Sequence, residues 1–192
     1  MKRGFFIISE LDGAVAERVR AIQREFDPRL ARATPPHVTI TGSSGAGPIL
    51  PSTTAEELRA ALEPVARATA PIAVTFEPPH RFMQTGIVVL PLDPHGPLRA
   101  LHERIATSGL TFGRSRFPFS PHCTLNFYRT LTPAELRRLL ALRVDDPVVL
   151  ARIQVYESLD PQPARKVLEL DLQGPGTRDS GLDDSVRRNT SA

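Results

Sequence analysis

A four-residue pattern, Pro-His-x-Thr, occurs twice in this chain and limits its fold more than any other: Pro36-His37-Val38-Thr39 and Pro121-His122-Cys123-Thr124. The two histidines stand 85 residues apart, and each pattern begins a run rich in β-branched or apolar residues, as a strand requires. Side chains of a strand alternate between its faces, so His and Thr at i and i+2 share one face while Val38 with Ile40, and Cys123 with Leu125, share the other. Each motif therefore presents one imidazole beside one hydroxyl. The preceding proline suits the first residue of a strand, where no ladder donor is needed.

The flanking sequence repeats as well. Strands are expected at Phe5 to Ile8, Pro36 to Thr41, Ile72 to Phe76, Gly86 to Leu90, His122 to Phe127, Val148 to Tyr156 and Lys166 to Leu172. Apolar residues at helical spacing lie between them: Val15, Val19 and Ile22; Leu58, Leu62 and Val65; Leu98, Leu101 and Ile105; Leu136, Leu139 and Leu140. Thr53-x-x-Glu56 and Thr132-x-x-Glu135 read as capping boxes, the second with Pro133 at the first helical position. The order helix, His-x-Thr strand, capped helix and two strands thus occurs twice, over Asp12 to Leu92 and Pro97 to Leu172, and predicts a structural duplication. The expected fold is α+β: two similar lobes related by a pseudo-two-fold, with antiparallel sheets, flanking helices and a central cleft. Residues 1–173 form one domain in this reading, with lobes from about 12–92 and 97–172, and residues 174–192, rich in Gly, Asp and Ser, form a flexible tail.

If the two motif strands lie side by side, two imidazoles and two hydroxyls converge on a site suited to a phosphoryl group. An unperturbed imidazole titrates at about 6.5, so one histidine can accept a proton while the other donates one near neutral pH. The threonine hydroxyls can donate to non-bridging oxygens, whose charge grows in the transition state. One His-x-Thr in a strand would mean little; two in matching surroundings carry the reading.

The remaining sequence narrows the alternatives. A composition of 41% hydrophobic and 23% charged residues is that of a globular domain, and 192 residues suffice for one. The formal charge of +3 permits a polyanionic ligand without demanding one. No apolar run reaches membrane-spanning length, and the apolar start Phe5-Phe6-Ile7-Ile8 is too short for a signal segment. The single cysteine, Cys123, excludes an intramolecular disulfide framework and fits a reducing compartment, so a cytoplasmic location is the expectation; a monomer with no protein partner is expected as well. No His-x-x-x-His, Cys-x-x-Cys or phosphate-loop pattern occurs, so neither a metal nor any other cofactor is expected. Gly42 to Gly47 lacks the lysine of a nucleotide loop and is expected to form a flexible lip of the cleft. Arg114 and Arg116 could steer an RNA end, Phe5, Phe119 or Tyr128 could stack on a base, and His80 could meet phosphate from a surface loop.

With Pro36-His37-Val38-Thr39, Phe119-Ser120-Pro121-His122-Cys123-Thr124-Leu125 and the opening Arg3-Gly4-Phe5-Phe6-Ile7 strand, the chain resembles the 2H phosphoesterase superfamily, in particular the bacterial 2'-5' RNA ligases or RNA 2',3'-cyclic phosphodiesterases. The resemblance covers most of residues 3–172. It implies a bilobal fold with the histidines in a central cleft, His37 and His122 as catalytic residues, and Thr39 and Thr124 as phosphate-binding ones. It also implies opening of a 2',3'-cyclic phosphate to a 2'-phosphate without cofactor, with 2'-5' ligation in some members. RNA-directed relatives continue the second motif as His-x-Thr-Leu-x-Arg, whereas here that position is Phe127 and the arginine is Arg129, which joins Arg114 and Arg116 as a candidate substrate-binding residue. The substrate is thus expected to be an RNA end or a small cyclic nucleotide. The alternatives are a 2'-5' RNA ligase and a non-catalytic module that binds such ends.

Overall fold

The computed structural model describes residues 4–83, 85–158 and 164–174. Its elements run β1 (Gly4–Glu10), α1 (Gly13–Phe26), α2 (Pro28–Ala33), β2 (His37–Thr41), α3 (Ala55–Arg67), β3 (Ile72–Val74), β4 (His80–Arg81), β5 (Val88–Pro91), α4 (Gly96–Ala106), β6 (His122–Asn126), α5 (Pro133–Ala141), β7 (Val148–Leu150), β8 (Arg152–Ser158) and β9 (Arg165–Asp171). Seven strands form one antiparallel sheet in the order β4-β5-β6-β2-β1-β8-β9, and β3 pairs with β7 in a second sheet. The α+β class read from the sequence is the class observed.

The strand order shows where the repeat begins. Exchanging β1 with β5, β2 with β6, β3 with β7 and β4 with β8 leaves the order unchanged, with β9 as an added edge. Each unit is therefore β-α-β-α-β-β, opening one strand earlier than the apolar helix at which the sequence pattern places its start. The last strand of each unit pairs with the first strand of the other: β4 with β5, and β8 with β1. Register irregularities also correspond, between Ile7 and Ile8 in β1 and between Val88 and Val89 in β5.

The sheet buries one face against helices. Val38, Ile40, Cys123, Leu125, Val88, Leu90, Ile153 and Val155 pack with Val19, Leu58, Leu101 and Ile105 in a continuous core. Each such aliphatic side chain contributes on the order of 1.5–3 kcal/mol by leaving water. Because α1 lies against β6 and α4 against β2, each helix packs on the motif strand of the other unit. The opposite face of β2 and β6 is left for chemistry.

Several local expectations need correcting. The capping box of α3 is formed by Thr54 and Glu57, one residue beyond the expected pair; Thr54 accepts from the Glu57 amide at 3.2 Å, and this phase buries Leu58 and Leu62. Thr132 and Glu135 cap α5 as expected. Helix α2 is an addition to the sequence reading; it starts because Asp27 accepts from the Leu30 amide and Pro28 fits its first turn. The single strand expected over Val148 to Tyr156 is two strands, β7 and β8, that join different sheets. The loop after β2 is no free lip: the Gly45 amide donates to the Phe117 carbonyl, the Ser120 amide to Ser44, and Ile49 bridges β1 and Phe112. Of the expected tail, Gly174 donates to the Thr69 carbonyl at 3.0 Å, and residues 175–192 lie outside the described residues.

Candidate active site

The two motif strands are direct neighbours at the centre of the large sheet. Val38 pairs with Cys123, so the antiparallel register sets His37 opposite Thr124 and Thr39 opposite His122. The buried alternation is the same in both strands: His and Thr half-exposed, the residues between them buried. His37 and His122 are then diagonal neighbours, with backbones roughly 7–8 Å apart, leaving room for a tetrahedral group between the rings.

The two imidazoles are held identically. His37 Nδ1 lies 2.7 Å from the Pro35 carbonyl, and His122 Nδ1 lies 2.7 Å from the Ser120 carbonyl. A carbonyl oxygen only accepts, so each Nδ1 carries the proton and each Nε2 is left free to exchange one. In both cases the partner is the residue before the motif proline, whose restricted backbone aims that carbonyl back at the ring. Burial pushes both imidazoles below their ordinary titration range and the carbonyls oppose this; at His37 the charge of His122 lowers it further, while that of Glu10 raises it. The hydroxyls of Thr39 and Thr124 donate to no protein group among the described residues.

Side chains that sequence reasoning missed complete the surroundings. Glu10 lies opposite His37, accepts from the Tyr156 hydroxyl at 2.7 Å and pairs with Lys166 at 2.9 Å. Phe82 stands edge-on to His122 with ring centroids 5.2 Å apart. Buried Gln23 of α1 donates to the Thr124 carbonyl at 2.8 Å, and buried His102 of α4 donates to the Ile40 carbonyl at 2.7 Å. These contacts join residues far apart in sequence, and only the repeat hints that such partners exist. His102 Nε2 also accepts from Ala46, and its ring stacks on Phe119 at 4.1 Å. Gly45 lies against that ring at φ +67°, where a Cβ would come within 2.4 Å of it.

The remaining candidates divide. His80 is exposed on β4 opposite Val89, which itself lies opposite Thr124. Arg114 and Arg116 are exposed on the segment leading to β6. Tyr128 is also exposed, with the Arg29 guanidinium 4.2 Å above its ring. Phe5 and Phe119 are not available to stack on a base, because both are buried in the core. Arg129 is engaged by protein groups: it pairs with Glu135 at 2.5 Å and donates to the Phe26 carbonyl. Among the described residues no group of three His, Cys, Asp or Glu side chains is placed to hold a metal ion. Among them, too, no helix is long and apolar enough to cross a membrane.

Paired His-x-Thr strands in an antiparallel sheet of duplicated topology define the two-histidine class of phosphoesterases. The chain belongs to the 2'-5' RNA ligase superfamily, whose model matches residues 11–160. No curated protein matches the sequence. Among solved structures, Escherichia coli LigT complexed with NADP+ superposes with a TM-score of 0.57 at 15% identity, over 88% of this chain and 97% of that one. LigT complexed with 3'-AMP gives 0.55 at 15% identity, over 90% and 99%. TT0787 of Thermus thermophilus gives 0.56 at 16% identity, over 91% and 100%. At these identities the likeness is one of fold.

Proposed function

We propose that this protein is a metal-independent phosphodiesterase that hydrolyses a 2',3'-cyclic phosphate, at an RNA terminus or on a nucleotide, to a 2'-phosphate. The observation that carries the reading is the matched pair of imidazoles, each with Nδ1 bound to a carbonyl and Nε2 free, on one face of adjacent strands. In this scheme one Nε2 removes a proton from water as its oxygen bonds to phosphorus. The other delivers a proton to the ribose 3'-oxygen as its bond to phosphorus breaks. Thr39 and Thr124 donate to the non-bridging oxygens. Each proton transfer is worth on the order of 100- to 10,000-fold in rate.

Membership of the 2'-5' RNA ligase superfamily and the complexes of LigT with 3'-AMP and ATP support a nucleotide substrate. The same site would join RNA ends if a 5'-hydroxyl replaced water as the nucleophile, which is the ligase alternative. We further propose that residues 1–173 act as one bilobal unit, with its cleft over the shared open face of the two paired motif strands. Turnover of 2',3'-cyclic nucleotides and of a short RNA ending in a cyclic phosphate, in the presence of EDTA, tests the proposal. The expected product is a 2'-phosphate, with nearly all activity lost in His37→Ala and in His122→Ala. Binding without turnover would reject the hydrolase in favour of a sensor of such ends.

A further inference from the structure

Each motif strand slips by one residue against its outer neighbour, and the slip decides which way the next side chain turns. On β6, Val88 lies opposite Asn126 and Val89 opposite Thr124, so Leu125 is the extra residue of a bulge. On β2, Ile7 lies opposite Thr41 and Ile8 opposite Thr39, so Ile40 is the extra residue. Opposed residues of an antiparallel pair share a face, and Val88 belongs to the core. Asn126 therefore turns inward with Leu125, both fully buried, and Phe127 comes next on the face that carries His122 and Thr124. Unbroken alternation would have sent Phe127 inward.

The ring of Phe127 is 51% exposed. Its counterpart after the first motif is Gly42, where a Cβ would come within 2.1 Å of the Phe6 ring. The bulged end of β6 thus carries an open aromatic ring at a position where β2 carries no side chain.

Phe127 has two companions. Tyr128, also exposed, stands edge-on to it with ring centroids 4.9 Å apart, and the Arg29 guanidinium lies 4.2 Å from the centre of the Tyr128 ring. Buried Asp27 ties the three together. Its Oδ2 accepts from the Phe127 and Tyr128 amides at 2.8 and 2.7 Å, and its Oδ1 accepts from Leu30 and caps α2, on which Arg29 stands. Arg29 is exposed and pairs with no carboxylate among the described residues, whereas Arg129 is held by Glu135. Two adjacent rings left in water forgo the gain of burial, which a ligand stacked on them recovers.

We propose that Phe127, Tyr128 and Arg29 form a second binding site, for the nucleotide that precedes the cyclic end of an RNA: its base stacks on Phe127 and the phosphate of its linkage meets Arg29. The inference rests on the phosphodiesterase reading and narrows its substrate to an RNA chain. Every base has a π-face, so such a site tolerates sequence. A cyclic mononucleotide offers one phosphate, and in this reading the two His-x-Thr motifs take it. A free guanidinium beside a ring matches a second phosphate, which only a longer chain supplies. Phe127 follows Thr124 by three residues, at most about 10 Å of extended strand, which is within reach of the neighbouring nucleotide.

Steady-state kinetics on adenosine 2',3'-cyclic phosphate and on the dinucleotide ApA ending in a 2',3'-cyclic phosphate, for wild type, Phe127→Ala, Phe127→Tyr and Arg29→Ala, test this site. Calorimetric binding of ApA 2'-phosphate supplies a readout independent of turnover. Phe127→Ala is expected to raise KM for the dinucleotide about tenfold, with its kcat and both constants for the mononucleotide unchanged. Phe127→Tyr, which keeps a ring, retains the wild-type KM. Arg29→Ala weakens dinucleotide binding several-fold and reduces its salt dependence. An unchanged dinucleotide KM in either alanine variant, or an equal rise for both substrates, would overturn the proposal. If wild type hydrolyses neither substrate, the phosphodiesterase reading fails and calorimetry still decides. Binding of ApA 2'-phosphate about tenfold weaker in Phe127→Ala than in wild type upholds the site, and equal binding or none sinks it.

Discussion

Gln23 in α1 donates its buried amide to the main-chain carbonyl of Thr124 at 2.8 Å, across 101 residues of sequence. The helix of one unit thereby holds the motif strand of the other, and His102 does the same for Ile40 in the opposite direction. The two halves of the site are thus cross-braced by polar side chains that touch no reacting group. Gln23→Leu is expected to lower stability by about 1 kcal/mol and to reduce kcat several-fold by loosening Thr124. Thermal denaturation alongside steady-state kinetics checks both. A variant with wild-type kcat would show that the brace does not control Thr124.

The tautomers imply a pH signature. The proposed scheme needs one Nε2 free and the other protonated, so under it kcat/KM should follow a bell, falling below the range in which the base is neutral and above that in which the acid is charged. A rate rising steadily from about pH 5 to about pH 9 would count against the paired scheme. Thr39→Val and Thr124→Val should each lower kcat, by about 100-fold if the hydroxyl acts as an oxyanion donor, without changing the shape of the bell.

Asp27 is fully buried, and its Oδ2 accepts from the amides of Phe127 and Tyr128 at 2.8 and 2.7 Å while Oδ1 caps α2. Burial by itself would raise its titration; the amide donors outweigh that and hold the carboxyl below its ordinary value of 3.8. A group with a depressed folded pKa contributes stability that is present above its unfolded value and is lost as pH falls through the folded one. Asp27→Ala should therefore cost on the order of 3 kcal/mol at neutral pH, and less as pH falls below about 4. Denaturant melts at pH 7 and pH 3 measure the difference; an equal loss at both would refute the electrostatic account.

Cys123 sits between the site residues but faces the core, and burial pushes its thiol up to about 12. The native protein should resist alkylation at pH 8, and denaturant should expose one reactive thiol per chain. Fast labelling of the folded protein would show that β6 opens readily.

Much of this was legible in the chain itself. Period-two alternation placed His37 with Thr39 and His122 with Thr124 on the free face of their strands, because pleat geometry is local. The capped start of α5 and the apolar stripes of four helices were legible for the same reason. The two-residue strand β4 and the short helix α2 were not, since neither is long enough to show a period.

Local pattern alone was enough to specify two equivalent His-x-Thr strands, each stiffened by a preceding proline. Which strand lies beside which was settled in three dimensions: that Val38 pairs with Cys123, that each unit lends its last strand to the other, and that Glu10 rather than a neutral residue faces His37. Strand pairing is set by burying a shared apolar face across distant segments, and no single segment carries that information. A one-residue slip in the pairing would turn every site residue to the wrong side.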